Sequence, residues 1–241
     1  MKLNLRVPTA LTIIIILLSF LKSESVHAQV ELKFGDYLSR EYIEKLQKTQ
    51  SPLSAEGAHT INLLVVEKQD NEISVMPILN FHEGGPTFRL KKSGKAELEN
   101  NAGLNISKYR LQALSNHKLS FAMNKPQTDE YVYVNNVQEL ISRICIAGQY
   151  VDDKGRKFVF ESNGTVKTPD GIMKITIGVD HIPYRFDYFE DSKNHQVYKF
   201  VRNKCKLGIY RVLDAEENQH GNDGSHVASY LSLQMVNCES K

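Results

Sequence analysis

The residues in this chain best suited to chemistry are two histidine–carboxylate neighbours and three cysteines. His82-Glu83 stands beside the turn Gly84-Gly85-Pro86, and Asp180-His181 precedes Pro183 and the aromatic series Tyr184, Phe186, Tyr188. A histidine held against a carboxylate can work as a general acid and base. Adjacent residues in an extended segment point to opposite sides, however, so neither pair is assembled by its spacing alone. The commoner role of such pairs is a polar turn whose hydrogen bonds fix a loop. Nucleophile signatures are missing: the chain has no Gly-x-Ser-x-Gly, no His-Glu-x-x-His, no phosphate loop and no Cys-x-x-Cys. His220, Asp223 and His226 have the chemistry of zinc or copper ligands. Gly221-Asn222 and Gly224-Ser225 between them mark a solvated loop, so neither metal nor cofactor is expected.

The three cysteines are an odd number, which leaves one out of any pairing. Cys145 falls on an apolar helical stripe and should be buried as a small hydrophobe. Cys205 opens one predicted strand and Cys238 closes the last. If those strands pair antiparallel, the two thiols meet at one edge, and a Cys205–Cys238 disulfide closes the polar loop from Asp214 to Gly224.

The N-terminus has the parts of an export signal. Lys2 and Arg6 precede an apolar core from Ala10 to Leu21, and Val26-His27-Ala28 offers a peptidase site. Cleavage after Ala28 is expected, giving a mature chain from Gln29 that is periplasmic or secreted. The apolar core is well short of the roughly 20 residues a spanning helix needs. No second long apolar run follows, and no integral membrane segment is expected in the mature chain. The predicted strands are also too short, and too charged on both faces, for an outer-membrane barrel. Thirty Lys and Arg against 28 Asp and Glu leave a formal charge of +2, dispersed along the chain. No basic block suggests a nucleic-acid partner. Asn105-Ile106-Ser107 and Asn163-Gly164-Thr165 are glycosylation sequons, relevant in a eukaryotic cell.

The elements that would position these residues are mostly strands. A first helix is expected with Asp36 as cap and Leu38, Tyr42 and Leu46 on one face, ending at Ser51-Pro52. Short strands follow from Ile61 to Val134, with Pro77 marking an edge or a bulge. A second helix carries Val137, Leu140, Ile141, Ile144 and Cys145 as a single stripe, capped by Asn136 with Glu139 three residues on. Further strands run from Gln149 to Val236, one of them the alternating Tyr184, Phe186, Tyr188.

Two stretches share the template Gly-x-x-Phe-x-apolar-x-x-x-Gly-x-apolar, one from Gly85 to Ala96 and one from Gly155 to Val166. A duplicated β-unit and simple convergence of hairpins both account for it. Between Gly148 and Val179, the sequence of aromatic strand, Asn-Gly turn and further strand resembles the hairpins of small lipocalin-like barrels. The Gly-x-Trp usual near the start of that family is absent, as the chain has no Trp. The resemblance implies a small closed or half-closed β-structure with an internal pocket.

The fold expected is mainly β with two helices, its antiparallel strands forming a small barrel-like or sandwich structure with two similar β-units as one reading. The organisation expected is a signal peptide over 1–28, a helix with a first β-unit over 29–135, and a linking helix with a second β-unit over 136–241, the last two also readable as one compact domain. The functional expectation is a non-catalytic binding or interaction protein for a small molecule or protein, using a β-lined pocket or an aromatic face of Phe158, Phe160, Tyr184, Phe186 and Tyr188. The alternative is a secreted hydrolase using His82, Glu83, Asp180 or His181.

Overall fold

The structure, a computed structural model, describes residues 32–57, 61–69, 72–79, 81, 83–90, 96–98, 109–123, 128–181, 184–212 and 227–238. The proposed leader, His82, Asn105 and the 220–226 histidines lie outside these residues.

The first half builds one antiparallel sheet around a strand whose two faces are both buried. In β1 (Gly35–Ser39), Tyr37 joins one apolar core and Leu38 a second, because successive side chains leave a strand on opposite sides. The chain then turns directly into α1 (Arg40–Thr49) and α2 (Pro52–Glu56). The cap of α1 is Ser39, whose Oγ accepts from the Tyr42 N–H at 3.4 Å. Asp36 therefore sits in a strand and caps nothing. Pro52 does not simply end the helical region: it occupies the first turn of α2, where its missing N–H is not needed.

The next strands are β2 (Ile61–Gln69), β3 (Glu72–Leu79), β4 (Glu83–Gly84), β5 (Phe88–Leu90), β6 (Ala96–Leu98), β7 (Tyr109–Ser115), β8 (Lys118–Met123) and β9 (Asp129–Val134). They form a half-barrel sheet ordered β6-β5-β3-β2-β1-β9-β8-β7, with β4 also paired to β3. Pro77 lies in β3 between the part paired with β5 and the part paired with β4, so its lack of an N–H breaks no ladder there. Tyr37, Leu64, Val75, Phe88, Phe121 and Tyr131 fill the concavity.

The second half begins with α3 (Val137–Cys145), capped as expected by Asn136, whose Oδ1 accepts from the Glu139 N–H at 2.9 Å. Eight strands follow: β10 (Gly148–Val151), β11 (Lys157–Phe160), β12 (Thr165–Thr168), β13 (Gly171–Ile177), β14 (Tyr188–Asp191), β15 (Val197–Asn203), β16 (Lys206–Val212) and β17 (Val227–Met235). Each pairs antiparallel with the next, and β17 returns to β10 through Tyr150↔Met235 and Val151↔Gln234, closing a barrel. A closed barrel leaves no edge strand to pair with other chains. The fold is thus mainly β, with three helices among the described residues where two were expected.

The barrel interior is packed with side chains. Tyr150, Phe158, Phe160, Ile177, Phe189 and Phe200 share one core with Leu38, Tyr42 and Leu46 from the first half and with Ile141 and Cys145 of α3. The helices therefore close one end of the barrel. Gly148-Gln149-Tyr150 opens β10, with Tyr150 fully buried. Arg202 lies over the Tyr150 ring at 5.4 Å and donates to its hydroxyl.

The two copies of the Phe template share a register. Leu90 pairs with Ala96 and Phe160 with Val166, the equivalent positions of each copy. Phe88 and Phe158 are both buried, but in different cores. Among the described residues, no helix is long and apolar enough to cross a membrane.

Candidate functional site

The sequence-nominated residues fall into a buried polar cluster, an aromatic surface that adjoins it where the Tyr188 and His181 ring centroids lie 6.0 Å apart, and positions elsewhere. Glu83 is exposed in the two-residue strand β4, opposite Leu79. Asp180 contributes its backbone carbonyl, which accepts from the Tyr188 hydroxyl at 3.0 Å. His181 follows β13 and is buried.

His181 finds its partner in α2. Its Nδ1 lies 3.1 Å from Glu56 Oε2, and its Nε2 lies 3.7 Å from Asp187 Oδ1. The His181 side chain is only 2% exposed, against 18% for Glu56 and 13% for Asp187. Asp187 is tied to the helical region in turn, accepting from the Leu53 N–H at 2.8 Å. Burial pushes the His181 pKa down to about 4, with Asp180 opposing, and burial raises that of Asp187. The imidazole is therefore neutral at neutral pH. Its Nε2 has no hydrogen-bond partner among the described residues, and neither has the nearby buried Tyr42 hydroxyl.

This cluster has the residue types of an acid–base site without the access. A general base must reach the proton it abstracts, and here the imidazole is enclosed by α2 and the loop before β14. The carboxylates face different ring nitrogens, so no point is shared by three donors. Among the described residues, no group of three His, Cys, Asp or Glu side chains could hold a metal ion. Cys145 lies nearby but is buried, and burial pushes its thiol pKa upward. What the cluster does is join α2 to the barrel.

The nominated aromatic face divides in two. Phe158 and Phe160 point into the barrel core. Tyr184, Phe186 and Tyr188 stand outside it and meet one another, with ring centroids 4.8 Å apart for Tyr184–Tyr188 and 5.4 Å for Tyr184–Phe186. Their alternation suggested a strand, but only Tyr188 lies in one, β14 beginning there. The 184–187 segment bends instead, because Asp187 is drawn in toward Leu53.

Tyr188 continues this surface across the barrel wall. It pairs with Lys199 of β15, which pairs with Tyr210 of β16, which pairs with Tyr230 of β17. Lys199 Nζ sits 5.3 Å from the Phe186 ring centroid, and the Tyr210 and Tyr230 rings are 4.7 Å apart. Glycines lie beneath the row. A Cβ on Gly178 would strike the Tyr188 ring, and one on Gly208 would come within 3.3 Å of Tyr230 and 3.4 Å of Tyr210. Lys199, Tyr210 and Tyr230 were not singled out from the sequence. Alternation in β15 places Lys199 opposite the buried Phe200, but only the register shows that the four residues align.

The remaining candidates are separate from this surface. Cys205 and Cys238 form a disulfide with Cα atoms 5.6 Å apart, tying the β15–β16 turn to the chain beyond β17. Asn163 stays on its tight turn, its Oδ1 accepting from the Thr165 N–H at 2.8 Å. Two clefts of about 160 and 310 Å³ flank α3, one beside the β11–β12 turn and one against α1 and β9. The first is lined by Asn163, and neither by a residue of the nominated His/carboxylate pairs or aromatic face. The chain matches no known family in a scan of protein-family models, and no curated protein resembles it in sequence.

Proposed function

We propose that this is an exported binding protein that holds its partner on the aromatic outer face of the barrel. The observation that carries this reading is the Tyr188–Lys199–Tyr210–Tyr230 row, continued by Phe186 and Tyr184, on a wall whose inner side is packed. Aromatic rings with polar tips provide contact area at low entropic cost, and they favour partners that are apolar on one face and wet on the other. Export is supported by the leader pattern of residues 1–28 and by the cysteine pair at disulfide distance, which suits an oxidising compartment.

The alternative is a secreted hydrolase working through His181. The contact between His181 and Glu56 favours it; the enclosure of the imidazole counts against it. The test uses the 29–241 chain on immobilised polysaccharides, denatured protein and anionic vesicles, beside a screen of ester, glycoside and peptide substrates. The expected result is retention on one probe class, lost in F186A/Y230A, and no turnover. Turnover abolished by H181N in a folded protein would replace the binding reading with the enzymatic one.

A further inference from the structure

We propose that the outer row binds an acidic polysaccharide of uronic-acid type, with sugar rings lying on the tyrosines and a sugar carboxylate on Lys199. This rests on the binding reading above and names its ligand class. The glycine floor is the first reason. With no Cβ at Gly178 or Gly208, the Tyr188, Tyr210 and Tyr230 rings approach the backbone closely and pack against the wall. A pyranose has one C–H face and a rim of hydroxyls, which suits an aromatic face with polar groups beside it.

Spacing is the second reason. Tyr188 and Tyr210 are two strands apart, about 10 Å, with Lys199 midway. The Tyr188 ring leans over Gly178 on the β13 side, so the two rings are further apart than the two backbones, and successive sugars of a polymer, more than a single disaccharide, would meet ring, cation and ring in turn. Charge is the third. Among the described residues, no carboxylate lies within ion-pair distance of Lys199; Glu190, two places along β14 from Tyr188, is hydrogen-bonded to His195 and bears on the Tyr184 and Tyr188 rings rather than on the ammonium. A cation placed beside stacking rings without an ion-pair partner of its own suits an anionic ligand.

The footprint argues against a folded protein as occupant. Stable protein–protein interfaces use about 20–30 residues a side, and among the described residues this surface is a line of six, most of them half-buried. Nor does the closed barrel offer an edge here for an extended peptide to join by main-chain hydrogen bonds.

The experiment measures binding of the 29–241 chain to polygalacturonate and to the same polymer methyl-esterified, by calorimetry at low and moderate salt. The expected result is binding to the acidic form, weakened by salt and by esterification. Y210A/Y230A weakens it about tenfold or more, the scale of lost stacking contacts. K199A removes the preference for the acidic over the esterified polymer. V201E is a second variant that spares the core: Val201 is 47% exposed and pairs with Gly208 beside the row, so a carboxylate there should repel the polymer. Binding to neither polymer, equal binding to both, or binding indifferent to these variants overturns the proposal. Row-dependent retention on vesicles or denatured protein also overturns it, while leaving the broader binding reading standing. Substrate turnover abolished by H181N overturns both.

Discussion

His181 and Glu56, 125 positions apart in the chain, meet with Nδ1 and Oε2 separated by 3.1 Å. The contact fastens the helical region of the first half to the loop between β13 and β14. Asp187 makes a second fastening through the Leu53 N–H. Both lie against the end of the barrel that the helices close.

This joint predicts a particular response to acid. His181 titrates near its ordinary 6.5 in the unfolded chain but at about 4 when folded. Between those values the unfolded state binds a proton that the folded state refuses, so stability falls as pH falls through that window. The full shift corresponds to at most about 3–4 kcal/mol. Asp187 works against it, since burial raises its pKa and protonation relieves part of its desolvation cost. Urea midpoints at pH 7 and pH 5 should fall for the parent protein, with a smaller drop for H181N. Equal drops would mean that His181 does not carry the acid sensitivity.

The disulfide makes a separate contribution. Cys205 and Cys238 enclose a separation of 33 residues, for which the chain-entropy relation gives about 3–4 kcal/mol. C205S/C238S should lose about that much in urea unfolding. Cys145 should resist iodoacetamide in the native protein, because it is buried and its thiol pKa is raised. Unfolding without reductant should expose that one thiol, read as a single added label by mass spectrometry. Two or more labels would contradict the pairing.

The β character, the stripe of α3, its Asn136 cap and the arrangement of the three cysteines were legible because each depends on local pattern. Alternation and helical periodicity report which face is buried. They do not report which distant element covers it, and so Glu56 was invisible as the partner of His181. The start of α1 was misread for a related reason. Asp36 and Ser39 both have capping side chains, and Leu38 fits the helical stripe, but the strand pairing of β1 with β2 and β9 carries the chain extended as far as Ser39. Ser39→Ala should therefore cost about 1 kcal/mol, and Asp36→Ala less, as measured by thermal unfolding. The reverse order would restore Asp36 as the cap.

Gly178 gives the sharpest packing prediction. It follows Ile177 of the barrel core and donates its N–H to the Tyr188 carbonyl, while the Tyr188 ring occupies the space where a Cβ would project. Ala at 178 must displace that ring and with it the hydroxyl that donates to Asp180. The expected loss for Gly178→Ala is about 1–3 kcal/mol, the usual cost of overpacking. Tyr188→Ala is destabilising on its own, because it uncovers the wall and removes the hydrogen bond. Combining the two should cost less than their sum, since without the ring the added methyl has room; the coupling should be about 1 kcal/mol or more. Gly208→Ala is the internal comparison. A Cβ there meets only ring edges at 3.3 and 3.4 Å, which can shift outward because Tyr230 is 60% exposed. It should cost less than Gly178→Ala. Strict additivity of G178A and Y188A, with equal costs at the two glycines, would mean that Tyr188 is not seated on Gly178.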